Sequence, residues 1–135
     1  MSPILRLKSG TKIAHYKIIG KLGEGGMGEV YRAHDTKLKR QGAIKILTPG
    51  PAIKSAERAR FFHEAQAAAA INHPNVCVIY DIREYKQQRC IIMEYLRGQT
   101  LSSRIAGTLL PIAKSVEYAI QIASALQAAH NENII

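Results

Sequence analysis

An α+β fold, an antiparallel sheet leading into helices, is predicted by three features of this 135-residue sequence. Short apolar runs separated by glycine, proline and lysine-rich turns fill the first part. An alanine-rich stretch of helical character interrupts them. After Gly98 the apolar residues recur at helical rather than strand spacing.

The first strand is read from Tyr16 to Leu22, where apolar and polar residues loosely alternate. Glycines crowd Gly23 to Gly28 and predict a turn, and Glu29 to Ala33 resumes as a second strand. A lysine-rich turn from His34 to Gln41 precedes a third strand, Ala43 to Leu47, which Pro49, Gly50 and Pro51 end. Ser55 to Ile71 reads as a helix capped by Ser55, with Phe61, Ala65 and Ala68 on one face. Pro74 stops it, because proline disfavours helical geometry in the preceding residue. Val76 to Ile82 and Arg89 to Leu96 read as a fourth and fifth strand, joined by the polar stretch Arg83 to Gln88. A short helix is expected at Leu101–Ile105 and a long one from Ile112 to His130. The long helix carries Val116, Ala119, Ile120, Ala123 and Leu126 on one face, with Lys114, Glu117, Gln121 and Ser124 opposite. No internal repeat accompanies these elements.

With 47% hydrophobic and 21% charged residues the chain has a globular composition. At this length it can bury roughly two-thirds of its unfolded surface. The net charge of +9, from 19 basic and 10 acidic residues, favours a polyanionic partner: nucleotide, nucleic acid or an anionic membrane. The basic residues are scattered and lack interleaved aromatics, which argues against dedicated nucleic-acid binding. Cys77 and Cys90 are too few and too far apart for a zinc site or a disulfide scaffold, and fit a reducing cytoplasm. Neither a signal peptide nor a membrane span is apparent. His63 and Glu64 do not make a zinc-protease helix, since the position four residues after His63 is Ala67. No metal site is assigned to the remaining histidines, which are expected on the surface or in turns.

Gly23, Gly25 and Gly28 form G-x-G-x-x-G, a pattern shared by dinucleotide-binding folds and by folds that lay a glycine hairpin over phosphates. A dinucleotide fold needs a helix after the third glycine and an acid about 20 residues on. Val30 and Tyr31 favour strand instead, and Asp35 comes too soon. The hairpin alternative needs a valine two residues after the third glycine and a lysine on the third strand. Val30 and Lys45 meet both conditions. Strand alternation places Ala43 and Lys45 on one face, a small residue to admit a base and a cation to meet phosphates.

From about His15 onward the sequence resembles the eukaryotic-type serine/threonine protein kinases, in their bacterial branch. Gly23-Glu24-Gly25-Gly26-Met27-Gly28-Glu29-Val30-Tyr31 resembles the family's phosphate loop, and His73-Pro74-Asn75 the loop after its regulatory helix. Met93-Glu94-Tyr95-Leu96 is similar to its gatekeeper and hinge. The resemblance implies a kinase-like N-lobe at 11–97, with an antiparallel five-stranded sheet and one regulatory helix. A ten-residue extension would precede it, and the first helices of an incomplete helical C-lobe would follow at 98–135. It also implies ATP as ligand, with Mg2+, and proteins as substrates.

Leu22, Gly23, Glu24, Gly25, Gly26, Met27, Gly28, Glu29, Val30 and Ala43 would then surround the nucleotide. Met93 would be the gatekeeper, and backbone groups of Glu94 and Leu96 would read adenine. Glu64 would pair with Lys45 and hold it against the phosphates. Helical spacing puts Glu64 on the apolar face, where a carboxylate wants a cation, although Glu57 lies on nearly the same face.

Two departures stand out. Gly42 replaces the family's usual valine and is expected to remove packing on the outer face of the third strand. The only aspartates, Asp35 and Asp81, lie in neither His-Arg-Asp nor Asp-Phe-Gly. The base and the metal ligands are therefore expected beyond Ile135, with the chain alone inactive. The parent would transfer the γ-phosphoryl group of Mg-ATP to serine or threonine, and members of the family often continue into a membrane span. The alternative is a non-catalytic regulatory module that uses the lobe for protein contacts.

Overall fold

The structure is a computed structural model, and it describes residues 6–25, 28–47, 62–63 and 65–134. Six strands form one antiparallel sheet: β1 (Lys12–Ile13), β2 (Tyr16–Gly25), β3 (Gly28–Asp35), β4 (Arg40–Leu47), β5 (Ile79–Tyr85) and β6 (Gln88–Glu94). Their spatial order is β1-β2-β3-β4-β6-β5. Two helices follow, α1 (Leu101–Ile105) and α2 (Ile112–Asn131). Residues 62–63 and 65–69 are helical, inside the span predicted as a helix, and Ala65 is buried.

The sheet has one strand more than the five expected. β1 is only two residues long, so no alternation announces it. It pairs Lys12 with Lys17 and Ile13 with Tyr16 across a turn in which Ala14 adopts a φ of 52°.

The core lies on one face of the sheet. Ile13, Tyr16, Ile18, Tyr31, Ala33, Ile44, Ile46, Cys90 and Ile92 form a single cluster, and Leu7 of the preceding segment packs at its edge. Ile18, Ile44, Ile46 and Ile92 are each at most 1% exposed. Full burial of such a side chain contributes about 1.5–3 kcal/mol. Gly42 alternates with Ile44 and Ile46, so the face expected to be outer is the core face. Space there is tight, because an added Cβ would meet the Met93 carbonyl at 3.3 Å.

Two hairpins are tighter than the sequence predicts. β2 runs through Gly25 and β3 begins at Gly28, so Gly23 and Gly25 are strand residues paired with Val30 and Gly28. β5 continues to Tyr85 and β6 starts at Gln88, leaving Lys86 and Gln87 as a two-residue loop with φ of 46° and 65°. Positive φ at both loop residues matches the right-handed twist of the flanking strands.

Thr100 caps α1 by accepting from the Ser103 amide at 3.1 Å. α2 meets the loop before β5 through residues the periodicity had assigned to its polar side. Ser124 Oγ is 3.0 Å from His73 Nε2, and Gln121 accepts from Asn75 at 3.3 Å. The apolar positions Val116, Ile120 and Leu126 are instead more than half exposed. His73 is thus half-buried and engaged.

Candidate functional site

Opposite the core, the sheet presents a second face built from alternate residues of β3, β4 and β6. Val30 pairs with Lys45 and Lys45 with Ile91; Arg32 pairs with Ala43 and Ala43 with Met93. Paired residues on adjacent antiparallel strands project to the same side, with strands about 4.8 Å apart. Val30, Lys45, Ala43 and Met93 are thereby brought into one patch, although they come from three strands.

Next to this patch, on the neighbouring strand pair, runs the glycine hairpin. β2 carries register shifts between Ile18 and Gly20 and between Lys21 and Gly23, and Leu22 sits in the second, about half exposed. Gly23 lies opposite Val30, and a Cβ added there would meet nothing within 4 Å, so the space over the patch is open. Gly28 has a different reason to be glycine. Its φ is +133°, and an added Cβ would overlap the Ile46 carbonyl of β4. The third glycine lets the hairpin lie directly against its neighbour.

Not every predicted residue points at the patch. Glu29 projects to the core side, 4% exposed, where it accepts a hydrogen bond from the Tyr31 hydroxyl and lies 3.5 Å from Lys21 Nζ. Glu24 is exposed and held by Lys21 at 2.7 Å. That hydrogen bond holds the Glu24 carboxyl below its ordinary range and the Lys21 ammonium above its own. Lys45 is half-buried and forms no ion pair among the described residues. Gly26, Met27 and Glu64 lie outside the described residues.

At the other end of the patch β6 gives way to Tyr95 and the exposed Leu96. The Glu94 amide is already donated to Val78 at 2.8 Å, which leaves its carbonyl, approached by the Cys77 thiol at 3.7 Å. Arg32 was not singled out from the sequence. Its Nε donates to Gln41 at 3.1 Å, and its guanidinium lies 5.1 Å over the Tyr95 ring, tying the sheet to the segment after β6. Its alternation with Val30 was the available signal.

Neither aspartate is free for chemistry on the patch. Asp35 is 1% exposed and accepts from the Lys37 and Leu38 amides, with His15 at 3.3 Å and Arg40 at 3.5 Å. Asp81 is bound by Arg83 at 2.7 Å and by its neighbour's amide at 2.8 Å. Among the described residues no group of three His, Cys, Asp or Glu side chains could hold a metal ion, and no helix is long and apolar enough to cross a membrane. A cavity of about 880 Å3 opens elsewhere, behind the strand end, between α2, α1 and the loop at 74–77. It shares Glu94 and Leu96 with the candidate site but none of Val30, Ala43, Lys45 and Met93.

Comparison with known proteins agrees with this geometry. Residues 16–135 match the protein kinase domain model. The chain is 40% identical over 125 residues to the probable serine/threonine-protein kinase SCO3848 of Streptomyces coelicolor, covering 89% of this chain and 19% of that protein. It is 34% identical over 132 residues to the serine/threonine-protein kinase PknF of Mycobacterium tuberculosis, covering 96% and 28% respectively. The crystal structure of the M. tuberculosis PknI kinase domain superposes with a TM-score of 0.84 at 31% identity, covering 93% of this chain and 51% of that one. The chain therefore spans less than a third of the length of these two curated relatives and about half of that solved kinase domain. A glycine hairpin beside a lysine-bearing strand, an antiparallel sheet leading into helices, and a domain match across most of the sequence have one conclusion: the chain belongs to the protein kinase family, among bacterial serine/threonine kinases.

Proposed function

We propose that this chain forms the ATP-binding part of a kinase that transfers the γ-phosphoryl group of ATP to serine or threonine of protein substrates. The observation that carries the reading is the register that sets Lys45 beside Val30 and one pair removed from Ala43 and Met93, with Gly23 of the glycine hairpin opposite Val30. In this reading Val30, Ala43 and Leu22 pack on the base, and Met93 closes the back of the pocket. The Glu94 carbonyl and the Leu96 amide hydrogen-bond adenine. Backbone amides of the glycine turn, from Gly23 to Gly28, and the Lys45 ammonium face the phosphates, where a cation in a partly dry site stabilises charge as it develops. Glu64 pairs with Lys45 and fixes its direction.

The described residues fit ATP, but no group among them fits its metal. Holding Mg2+ takes oxygen ligands converging on one point, and both aspartates are bound elsewhere. In this reading the Mg2+ ligands and the carboxylate that orients the attacking hydroxyl come from outside the described residues. On its own the chain binds nucleotide weakly and transfers no phosphate.

The test is calorimetric titration of ATP into the chain and its Lys45→Met variant. Losing a charge-assisted contact costs about 1.5–3 kcal/mol, so affinity should fall roughly 10- to 150-fold. Equal affinity for the two proteins would remove the assignment.

A further inference from the structure

Behind the glycine hairpin, on the side away from the open patch, lies a cluster that ATP binding as described does not use. Glu29 immediately follows Gly28 and is 4% exposed, and Tyr31 is 2% exposed. The Tyr31 hydroxyl donates to Glu29 and accepts from the Leu7 amide at 3.1 Å. Lys21 of the facing strand spans the hairpin, 3.5 Å from Glu29 and 2.7 Å from Glu24.

A carboxylate is an expensive residue to bury at the end of an apolar core, and a hydrophobe there would simply add to the packing. What the carboxylate adds is direction. The β2–β3 ladder is broken between Lys21 and Gly23, and the glycines around that break have no side chains with which to pack. Cross-links from Glu29 to Lys21 on the other strand and to Tyr31 on its own replace the lost register. Lys21 is partly exposed, so its ion pairs are worth little as energy. They serve as geometry.

We propose that Glu29 is a positioning residue: with Lys21 and Tyr31 it locks the glycine hairpin from behind, in the orientation that receives the phosphates. The proposal rests on the nucleotide reading above. Its sign separates it from simple electrostatics. Glu29 carries negative charge close to where a triphosphate would lie, so by charge alone its neutralisation would tighten ATP binding. By positioning, the same change loosens it. Adenosine, which has no phosphates, should not sense the lock.

ATP and adenosine are titrated into the wild-type chain, Glu29→Gln, Tyr31→Phe and Lys45→Met, with hydrogen exchange followed over residues 20–31. For Glu29→Gln, ATP affinity should fall roughly three- to tenfold, the range of one hydrogen bond, with adenosine affinity unchanged and faster exchange in the hairpin. Tyr31→Phe alters no charge and should do the same, which keeps the test decisive if the Glu29 variant does not fold. Unchanged or tighter ATP binding in these variants, while Lys45→Met loses it, overturns the lock and leaves the nucleotide reading standing. No ATP binding by the wild-type chain overturns both. Equal losses for ATP and adenosine also overturn the lock, because they mark a general loss of structure.

Discussion

Gly28→Ala separates the packing reason for a glycine from the ligand reason. The structure gives Gly28 a φ of +133° and sets its Cα against β4, where a new Cβ would overlap the Ile46 carbonyl and come within 3.2 Å of the Leu47 Cα. Holding alanine in that backbone conformation costs about 1–3 kcal/mol. Relieving the overlap means moving the backbone of Ile46, whose side chain is 1% exposed in the core. Even a small gap opened around a buried isoleucine costs about 1 kcal/mol more. The sum is roughly 2–4 kcal/mol, measurable as a lower urea midpoint at unchanged slope. Gly23→Ala is the internal control, since its Cβ meets nothing within 4 Å. It should change stability by less than about 0.5 kcal/mol, as surface substitutions usually do. Equal stability of Gly28→Ala and wild type, or equal losses at both glycines, would refute the reasoning.

Further outcomes follow from other parts of the molecule. Burial pushes the Asp35 carboxyl up, but the Leu38 and Lys37 amides, His15 and Arg40 together outweigh it and hold the group below its ordinary value of 3.8. A depressed folded-state value stabilises the fold above the unfolded value, and that contribution is lost as pH falls from there through the folded value. Urea midpoints taken down the acid limb should therefore drop less steeply in Asp35→Asn than in wild type, and parallel limbs would contradict the assignment. Burial raises the Cys90 thiol to about 11, and raises Cys77 as well. A disulfide reagent near neutral pH should modify Cys77 slowly in the native chain and Cys90 only on unfolding; rapid reaction of both would be inconsistent with the core described. Incubation with γ-labelled ATP, magnesium and a basic protein should give no label above a Lys45→Met control, and label that depends on Lys45 would reveal an acid not recognised among these residues.

Much of the candidate site's strand pattern was legible in the sequence. The spacing of Gly23, Gly25, Gly28 and Val30, with Lys45 one strand later, is a local pattern, and strand alternation correctly put Ala43 and Lys45 on one side. The same alternation could not say which side was the core, and so Gly42 was assigned to the wrong face. The two-residue β1 offers no period, and the short hairpin at Lys86–Gln87 was hidden because the strand residues beside it are polar. For α2 the periodicity found a real apolar stripe but not its partner, since Gln121 and Ser124 meet the loop at 73–75 through hydrogen bonds that hydrophobicity does not record.

By itself the sequence determined what depends on near neighbours along the chain: the order of most strands and helices, the glycine hairpin, and the motif set that identifies the family. Only the tertiary structure decided which residues meet across strands. It set Lys45 between Val30 and Ile91, placed Gly28 against Ile46, and turned Glu29 to the core side, where it is buried beside Tyr31 and within reach of the exposed Lys21. The division has a physical cause. Propensity and periodicity act over a few residues, whereas register, bulges and the choice of core face are settled by burial summed over the whole sheet.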